Sequence, residues 1–273
     1  MKKLATLLLS MVCFASAMAQ SVIEVSTAAE LKEAVLANCT DGVSTSNIKL
    51  MADIYLSDLG NDCQQTLCTT FKGTIDGGYQ GIDPLTGLQT ILTRVIYAGH
   101  ENELDGGQHK KVSYLFTNTL WATIQNVTFK NFRVDSNNQS HQAVITQEAN
   151  NTKFINIKFD HCSIFSNEDY SGIAVGLASL CIFEAVRTEY CDVTVDGYGA
   201  GGLAGHSNAS QYKGCVIDAS SNVFVDGTAV VNEAYCGGLV GYSTGDWFEN
   251  CLNAGLVGAN DDGVGGIVGE SHQ

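Results

Sequence analysis

The chain has 273 residues, with 14 Lys+Arg against 29 Asp+Glu and a formal charge of −15; a surface of that sign repels nucleic acid and anionic membranes and argues against a binder of either. Hydrophobic residues make up 45% and charged residues 16%, enough apolar side chain for a packed core and too little charge for a disordered chain. A single proline, Pro84, among 29 glycines excludes collagen and proline-rich linkers.

Lys2 and Lys3 precede an apolar stretch over residues 4–15, and Ala17-Met18-Ala19 forms an A-x-A cleavage pattern. This predicts a signal peptide over 1–19, a mature start at Gln20 and a secreted or cell-surface location, in a bacterial style. The mature chain loses two lysines and carries −17. The stretch is shorter than the roughly 20 apolar residues a membrane span needs, and Ser10-Met11-Val12 does not fit a lipoprotein box before Cys13. No other segment is long and apolar enough to cross a bilayer. Ten cysteines are present and Cys13 leaves with the signal, so an odd nine remain and at least one thiol is unpaired.

Next along the chain, Thr27 and Glu30 spell a T-x-x-E capping box ahead of Leu31, Ala34 and Val35. It predicts a short helix that covers the open sheet edges of whatever follows. Cys39, Cys63 and Cys68 lie in polar sequence, and a pair among them is the preferred disulfide.

Repeats then decide the fold. Residues 122–137 align without a gap on 152–167, placing Ile124 on Phe154, Asn126 on Asn156, Phe129 on Phe159, Val134 on Ile164 and Phe132 on Cys162. Residues 201–215 (GGLAGHSNASQYKGC) match 237–251 (GGLVGYSTGDWFENC) at six of fifteen positions, and a third copy opens at Gly265 (GGIVGES). Val195-Asp196-Gly197 recurs thirty residues on as Val225-Asp226-Gly227. A period near thirty signals a solenoid. The intervening segments are short, β-branched or aromatic, and bounded by Gly, Asn and Asp. The fold class is therefore all-β: a right-handed parallel β-helix, or β-solenoid, with a short N-terminal capping helix. It divides into a signal peptide (1–19), a cap with the first coils (20–120) and repeat coils (121–273). The chain stops inside a repeat at Ser271-His272-Gln273, which reads as a fragment of a longer protein, because terminal repeats normally differ from internal ones.

Stacked coils return the same residue type to the same inward position. Cys162, Cys191, Cys215 and Cys251 read as one inward ladder of buried thiols acting as small hydrophobes. Disulfides between coils stay open as the alternative, since stacked Cα atoms about 4.8 Å apart fall inside the window for a bridge. In the GGLxG copies (Gly201, Gly202, Leu203 and Gly205; Gly237, Gly238, Leu239 and Gly241; Gly265, Gly266, Ile267 and Gly269) the apolar residue points inward. The glycines there are expected to permit a turn with φ > 0 and a close approach of neighbouring coils.

These copies resemble the GLUG repeat, named for its Gly-Leu-aliphatic-Gly core. The segment 171–176 (SGIAVG) departs from that pattern. The resemblance implies a bacterial secreted or surface protein of the kind found among adhesin-like proteins and some large surface proteases, on a right-handed, pectate-lyase-like β-helix. The upstream part is similar to the entry segment of such helices: a helix at Glu30–Ala34, a strand over 48–55, then Phe71 to Gly77.

No residue set makes a catalytic site in the linear sequence. Glycoside hydrolysis needs paired carboxylates, and uronate elimination needs a basic group, often with Ca²⁺. Arg94, Arg133 and Arg187 are dispersed, Asp261-Asp262 sit in a turn, and Asp160-His161-Cys162 are neighbours along one strand. His206 falls opposite Tyr242 and Glu270 in the repeat frame and reads as surface. Tyr198, Tyr242 and Trp247 are the candidates for contacting a ligand. The favoured reading is an exported structural or adhesin-like module presenting a binding face to an extracellular glycan or to a host or cell-surface protein. The alternative is a carbohydrate-active enzyme, a polysaccharide lyase or glycoside hydrolase, on the same fold. No cofactor is expected. The Asp-Gly turns at Asp196, Asp226 and Asp262 leave a structural Ca²⁺ open, although the nonapeptide repeat of Ca²⁺-binding solenoids is missing.

Overall fold

The computed structural model describes residues 21–100, 104–105, 108–109, 112–136, 140–226, 234–260 and 263–272. The signal peptide read over 1–19 and the Asp261-Asp262 turn lie outside them. Parallel strands wind into a β-solenoid of about seven turns. One coil runs through Thr146–Asn150, Lys153–Asp160, Ser163–Ser166 and Ser171–Gly172, then enters the next at Val175–Ser179. These strands belong to four stacks. Lys153–Asp160 lies in the first sheet, Thr146–Asn150 in the second, Ser163–Ser166 in the third and Ser171–Gly172 in the fourth.

Register follows residue type. Down the second sheet Phe116, Thr146, Val175, Ala204, Val240 and Val268 pair in turn, so successive coils are 30, 29, 29, 36 and 28 residues long. The repeats legible in the sequence are the pairings: Phe129 with Phe159, Val134 with Ile164, Gly201 with Gly237, and Tyr212 with Phe248. The long coil takes its extra length between Val225 and Tyr235, because Val195 pairs with Val225 thirty residues on and Gly199 with Tyr235 thirty-six on.

Corners explain why strands end where they do. The turn from the second sheet to the first places Trp121, Asn151, Leu180, Ala209 and Gly245 at φ of 57, 49, 54, 49 and 66°. A second left-handed position bends the first sheet itself, at Asn126, Asn156, Ala185, Gly214 and Asn250. One left-handed residue interrupts the two-residue alternation and turns the chain. Asn and Gly adopt that conformation at least cost. The asparagines also bond along the stack. Asn156 Nδ2 donates to Asn126 Oδ1, and Asn126 Nδ2 donates to Asp76 Oδ1, both at 2.9 Å.

Inside, like sits on like. Ile75, Ile124, Phe154, Phe183, Tyr212 and Phe248 form one column. Its rings stack at 4.9, 4.6 and 4.9 Å between centroids, each pair adding about 1 kcal/mol beyond its buried area. Helix α1 (Ala28–Ala37) buries Leu31, Ala34 and Val35. Thr27 Oγ1 accepts from the Glu30 N–H at 3.2 Å, while Glu30 Oε2 reaches past Thr27 to the Ser26 N–H at 2.7 Å. Ser44 and Ser46 donate to the Val35 and Ala34 carbonyls at 2.6 Å. The first coil thereby satisfies helix-end carbonyls that would otherwise lack partners.

The glycine motif works differently from the sequence expectation. None of its glycines has a positive φ; close approach requires them, except Gly266, where a Cβ would meet open space. A Cβ on Gly201, Gly237 or Gly265 would lie 1.9, 1.8 or 1.7 Å from the carbonyl oxygen three residues on. On Gly202 or Gly238 it would lie 2.1 Å from the carbonyl of the matching glycine one coil on. Gly205 meets the Tyr170 backbone at 2.2 Å, and Gly241 and Gly269 meet the preceding coil's carbonyl at 2.7 and 2.6 Å. Leu203 and Leu239 are buried, and Ile267 packs against the core partly covered.

The single cysteine ladder divides into two. Cys162 and Cys191 stack below Phe132 and above Ser221, just before the third sheet. Cys215 and Cys251 stack below Val186, just after the first-sheet bend. Both corners bury a small inward residue, so spacing alone merges them. Cys181 and Cys236, left out of the ladder by sequence reasoning, are buried as well. None of the nine described cysteines forms a disulfide, Cys39, Cys63 and Cys68 among them.

The N-terminal coils are less regular. The strand expected over 48–55 is two, Asn47–Leu50 and Ile54–Tyr55, followed by a 3₁₀ helix at Leu56–Gln64. An antiparallel hairpin, Gly78–Ile82 with Gln89–Tyr97, is inserted into the next coil.

Candidate functional site: the outer face of the second sheet

Strand alternation on the second sheet turns two columns outward. One holds Asn118, Glu148, Leu177, His206, Tyr242 and Glu270; the other holds Leu120, Asn150, Ser179, Asn208, Thr244 and His272. A groove of about 540 Å³ runs along them across five successive strands, from Thr70 to Asn208. That volume is in the range of small-ligand sites. A smaller hollow of about 250 Å³ lies on the third sheet between Arg133, His161, Tyr190 and Asp192.

Aromatic rings gather along the groove's flank, where the fourth sheet turns into the second. The Tyr170 ring lies 6.3 Å from Tyr198, 5.1 Å from His206 and 6.4 Å from Tyr242. His206 meets Tyr242 edge-on at 4.9 Å, and Tyr235 and His272 approach Tyr242 at 5.4 and 5.3 Å. Tyr198 and Tyr242, far apart in sequence, thus share one cluster through Tyr170. Trp247 does not join them. It follows the corner onto the first sheet, in register with Gln211, and is 59% exposed. At the same corner four coils earlier stands Trp121, directly after the groove residue Leu120, 67% exposed and in the left-handed conformation. Sequence reasoning passed over Trp121 and Tyr170. A bulky residue in a left-handed corner has no sequence signature unless the register is known.

Burial pushes the His141 and His206 imidazoles below their ordinary value. Glu148 and Asp169 act against that shift at His141, and Asp246 does so at His206, where the His141 charge adds to the lowering. Both rings are therefore neutral at pH 7. Behind the groove, Asp246 bridges coils. Its carboxylate accepts from the hydroxyls of Ser207 at 3.0 Å and Ser243 at 2.6 Å and from the Ser210 N–H at 2.7 Å. Tyr212 donates to Ser207 at 2.8 Å. Burial raises the Asp246 pKa, and these hydrogen bonds only partly oppose it.

The remaining sequence candidates stay apart from this face. His161 Nδ1 lies 2.5 Å from Asp160 Oδ1, because His161 occupies a left-handed corner that brings both side chains outward. Cys162 Sγ points inward, to the Phe129 carbonyl at 3.5 Å, so the three form no catalytic array. Asn260 Nδ2 donates to Asp226 Oδ1 at 2.7 Å. Among the described residues no three His, Cys, Asp or Glu side chains converge as a metal site.

No protein-family model matches the sequence, and no curated protein matches it. Among solved structures the chain is similar to the crystal structure of a candidate immunoglobulin A1 protease from Bacteroides ovatus. Identity is 16% and the TM-score 0.51, covering 92% of this chain and 62% of that one. At that identity the likeness speaks for the fold alone, and this chain spans less than two-thirds of the neighbour's length. Among the described residues no helix is long and apolar enough to cross a membrane.

The groove's lining mixes polar and apolar side chains. Amides and hydroxyls at Asn118, Asn150, Ser179 and Asn208 alternate with apolar Leu120 and Leu177, and Glu148 is the one carboxylate among the described lining residues.

Proposed function

We propose that this chain is an exported cell-surface module of the GLUG-repeat kind, which presents the outer face of its second sheet to an extracellular glycan or protein. One observation carries the reading: a groove crosses five successive strands, with amides, hydroxyls and leucines along it and a cluster of tyrosines and histidines on its flank. Regular stacking makes such a face from residues that recur once per coil. Export is supported by the pattern of Lys2, Lys3, the apolar run over 4–15 and Ala17-Met18-Ala19. The three GGLxG copies support the repeat family. The neighbour's protease name does not bear on this chain's activity.

A panel of polysaccharides and surface proteins, read for both binding and product release with and without EDTA, tests the reading. Binding without products is expected. New reducing ends or unsaturated uronates would replace the binding module with a carbohydrate-active enzyme, and loss of binding in EDTA would add a required Ca²⁺.

A further inference from the structure

The binding face, as read above, leaves open whether a glycan or a protein occupies it, how the occupant lies and what charge it carries. Its geometry is one-dimensional. Equivalent side chains recur once per coil, about 4.8 Å apart, and the groove runs across five strands, at right angles to the chain direction. A ligand filling it lies parallel to the solenoid axis and meets a new set of contacts at each coil. Five strands span about 20 Å. A groove of that length suits a linear polymer that meets one set of side chains per coil.

Charge narrows the class. Among the described residues no lysine or arginine lines the groove, and Glu148 is the one carboxylate there. His206, at one end, is held neutral at pH 7 by burial. A polyanion such as a uronate or sulfated chain would bring its charges to a site where none of the described lining residues is a cation. The amides of Asn118, Asn150 and Asn208 both donate and accept, as hydroxyl groups require, and Leu120 and Leu177 offer apolar surface to C–H faces. Trp121, beside Leu120, is exposed at the groove's edge in a conformation that costs a bulky side chain energy.

We propose that the second-sheet groove binds a linear, uncharged glycan along the solenoid axis, with Asn118, Asn150, Leu177 and Asn208 contacting successive sugar units and Trp121 stacking at the edge. This inference rests on the binding-face reading.

The test is calorimetric titration of the full chain with uncharged oligosaccharides of increasing length, with polygalacturonate and heparin as charged comparators. Affinity is expected to rise with length and level off once about 20 Å is filled. Asn150→Ala is expected to weaken binding by about fivefold, the effect of one lost hydrogen bond. Leu177→Arg, which places a long charged side chain in the floor, is expected to abolish it, while Trp247→Ala leaves it unchanged. Unaltered circular dichroism and melting of each variant separate these effects from misfolding. Preference for the polyanions, affinity independent of length, or full binding by folded Leu177→Arg would overturn the inference. If glycan binding is lost in Trp247→Ala and kept in the groove variants, the module reading stands and this assignment of its site falls. If neither glycans nor surface proteins bind, both fall.

Discussion

The N-terminal coils and the repeat coils are built on the same stacked sheets, yet they store their information differently. From Phe116 onward, coil lengths stay close to 29 residues, apart from one longer coil, and inward positions such as Phe129 and Phe159 meet a residue of their own kind one coil away. Before it, a 3₁₀ helix and an antiparallel hairpin interrupt the coils. The hairpin's tip exposes Leu85 at 94%, between Ile82 and Leu88 at 68% each. A residue in the repeat region is constrained by neighbours above and below; a residue at the hairpin tip, such as Leu85, bonds within its own turn.

That contrast is sharpest at glycine. Gly237→Val drives a Cβ into the Val240 carbonyl and the Gly269 amide, neither of which can retreat without moving a coil, and is expected to cost about 3 kcal/mol or more. Gly87→Ala, at the hairpin tip with φ +70° and open space around it, is expected to cost only about 1 kcal/mol. Denaturant unfolding of both measures the gap; equal losses would break the comparison. The next largest effect is in the aromatic column. Phe183→Ala removes a ring stacked on both Phe154 and Tyr212 and is expected to cost about 3–5 kcal/mol. Leu85→Ala should stay within about 0.5 kcal/mol.

Two aspartates carry the comparison into pH. Burial works against the charged form of Asp76, but hydrogen bonds from Asn126, the Gly78 N–H and Lys49, with the Lys49 charge, outweigh it and hold the pKa below its ordinary 3.8. Its stabilising contribution is present above that value and lost as pH falls through its own lower one. At Asp246 burial wins and the pKa is raised. There the folded chain holds the proton more tightly, so the contribution is full below the ordinary value and lost as pH rises through the raised one. Melting temperature against pH is expected to lose its acid-side fall partly in Asp76→Asn, and its fall on the rising side in Asp246→Asn. Identical profiles for the two variants would refute the assignment. The smallest effect concerns the first-sheet bend. Ala185 holds φ 53° one coil above Asn156, and Ala185→Asn is expected to gain about 1 kcal/mol by suiting that conformation and extending the amide stack. Thermal unfolding checks it.

The repeat coils were legible in the sequence because their contacts repeat in residue type: Asn126 on Asn156, Phe129 on Phe159, and the glycines of GGLxG thirty-six residues apart. The hairpin and the 3₁₀ helix were not, since each occurs once and repeats nothing. The cysteines show where pattern misleads. Cys162 and Cys215 both sit three residues after an aromatic, Phe159 and Tyr212, and only the register places them at different corners. The face was half legible. Tyr198 and Tyr242 stood out as turn aromatics, but Tyr170, which holds them together, and the amide columns of the groove have meaning only once strands are stacked. Trp247 reads with Tyr198 and Tyr242 as an exposed loop aromatic; the chain's other tryptophan, Trp121, stands beside the groove residue Leu120.

Those two tryptophans give the most direct test that the second-sheet face is the binding face. Trp121→Phe and Trp247→Phe each leave a single indole to report. On adding an uncharged glycan that binds the full chain, the fluorescence change is expected to persist in Trp247→Phe and vanish in Trp121→Phe. A change that follows Trp247 instead would contradict the account and move the binding face to the first sheet.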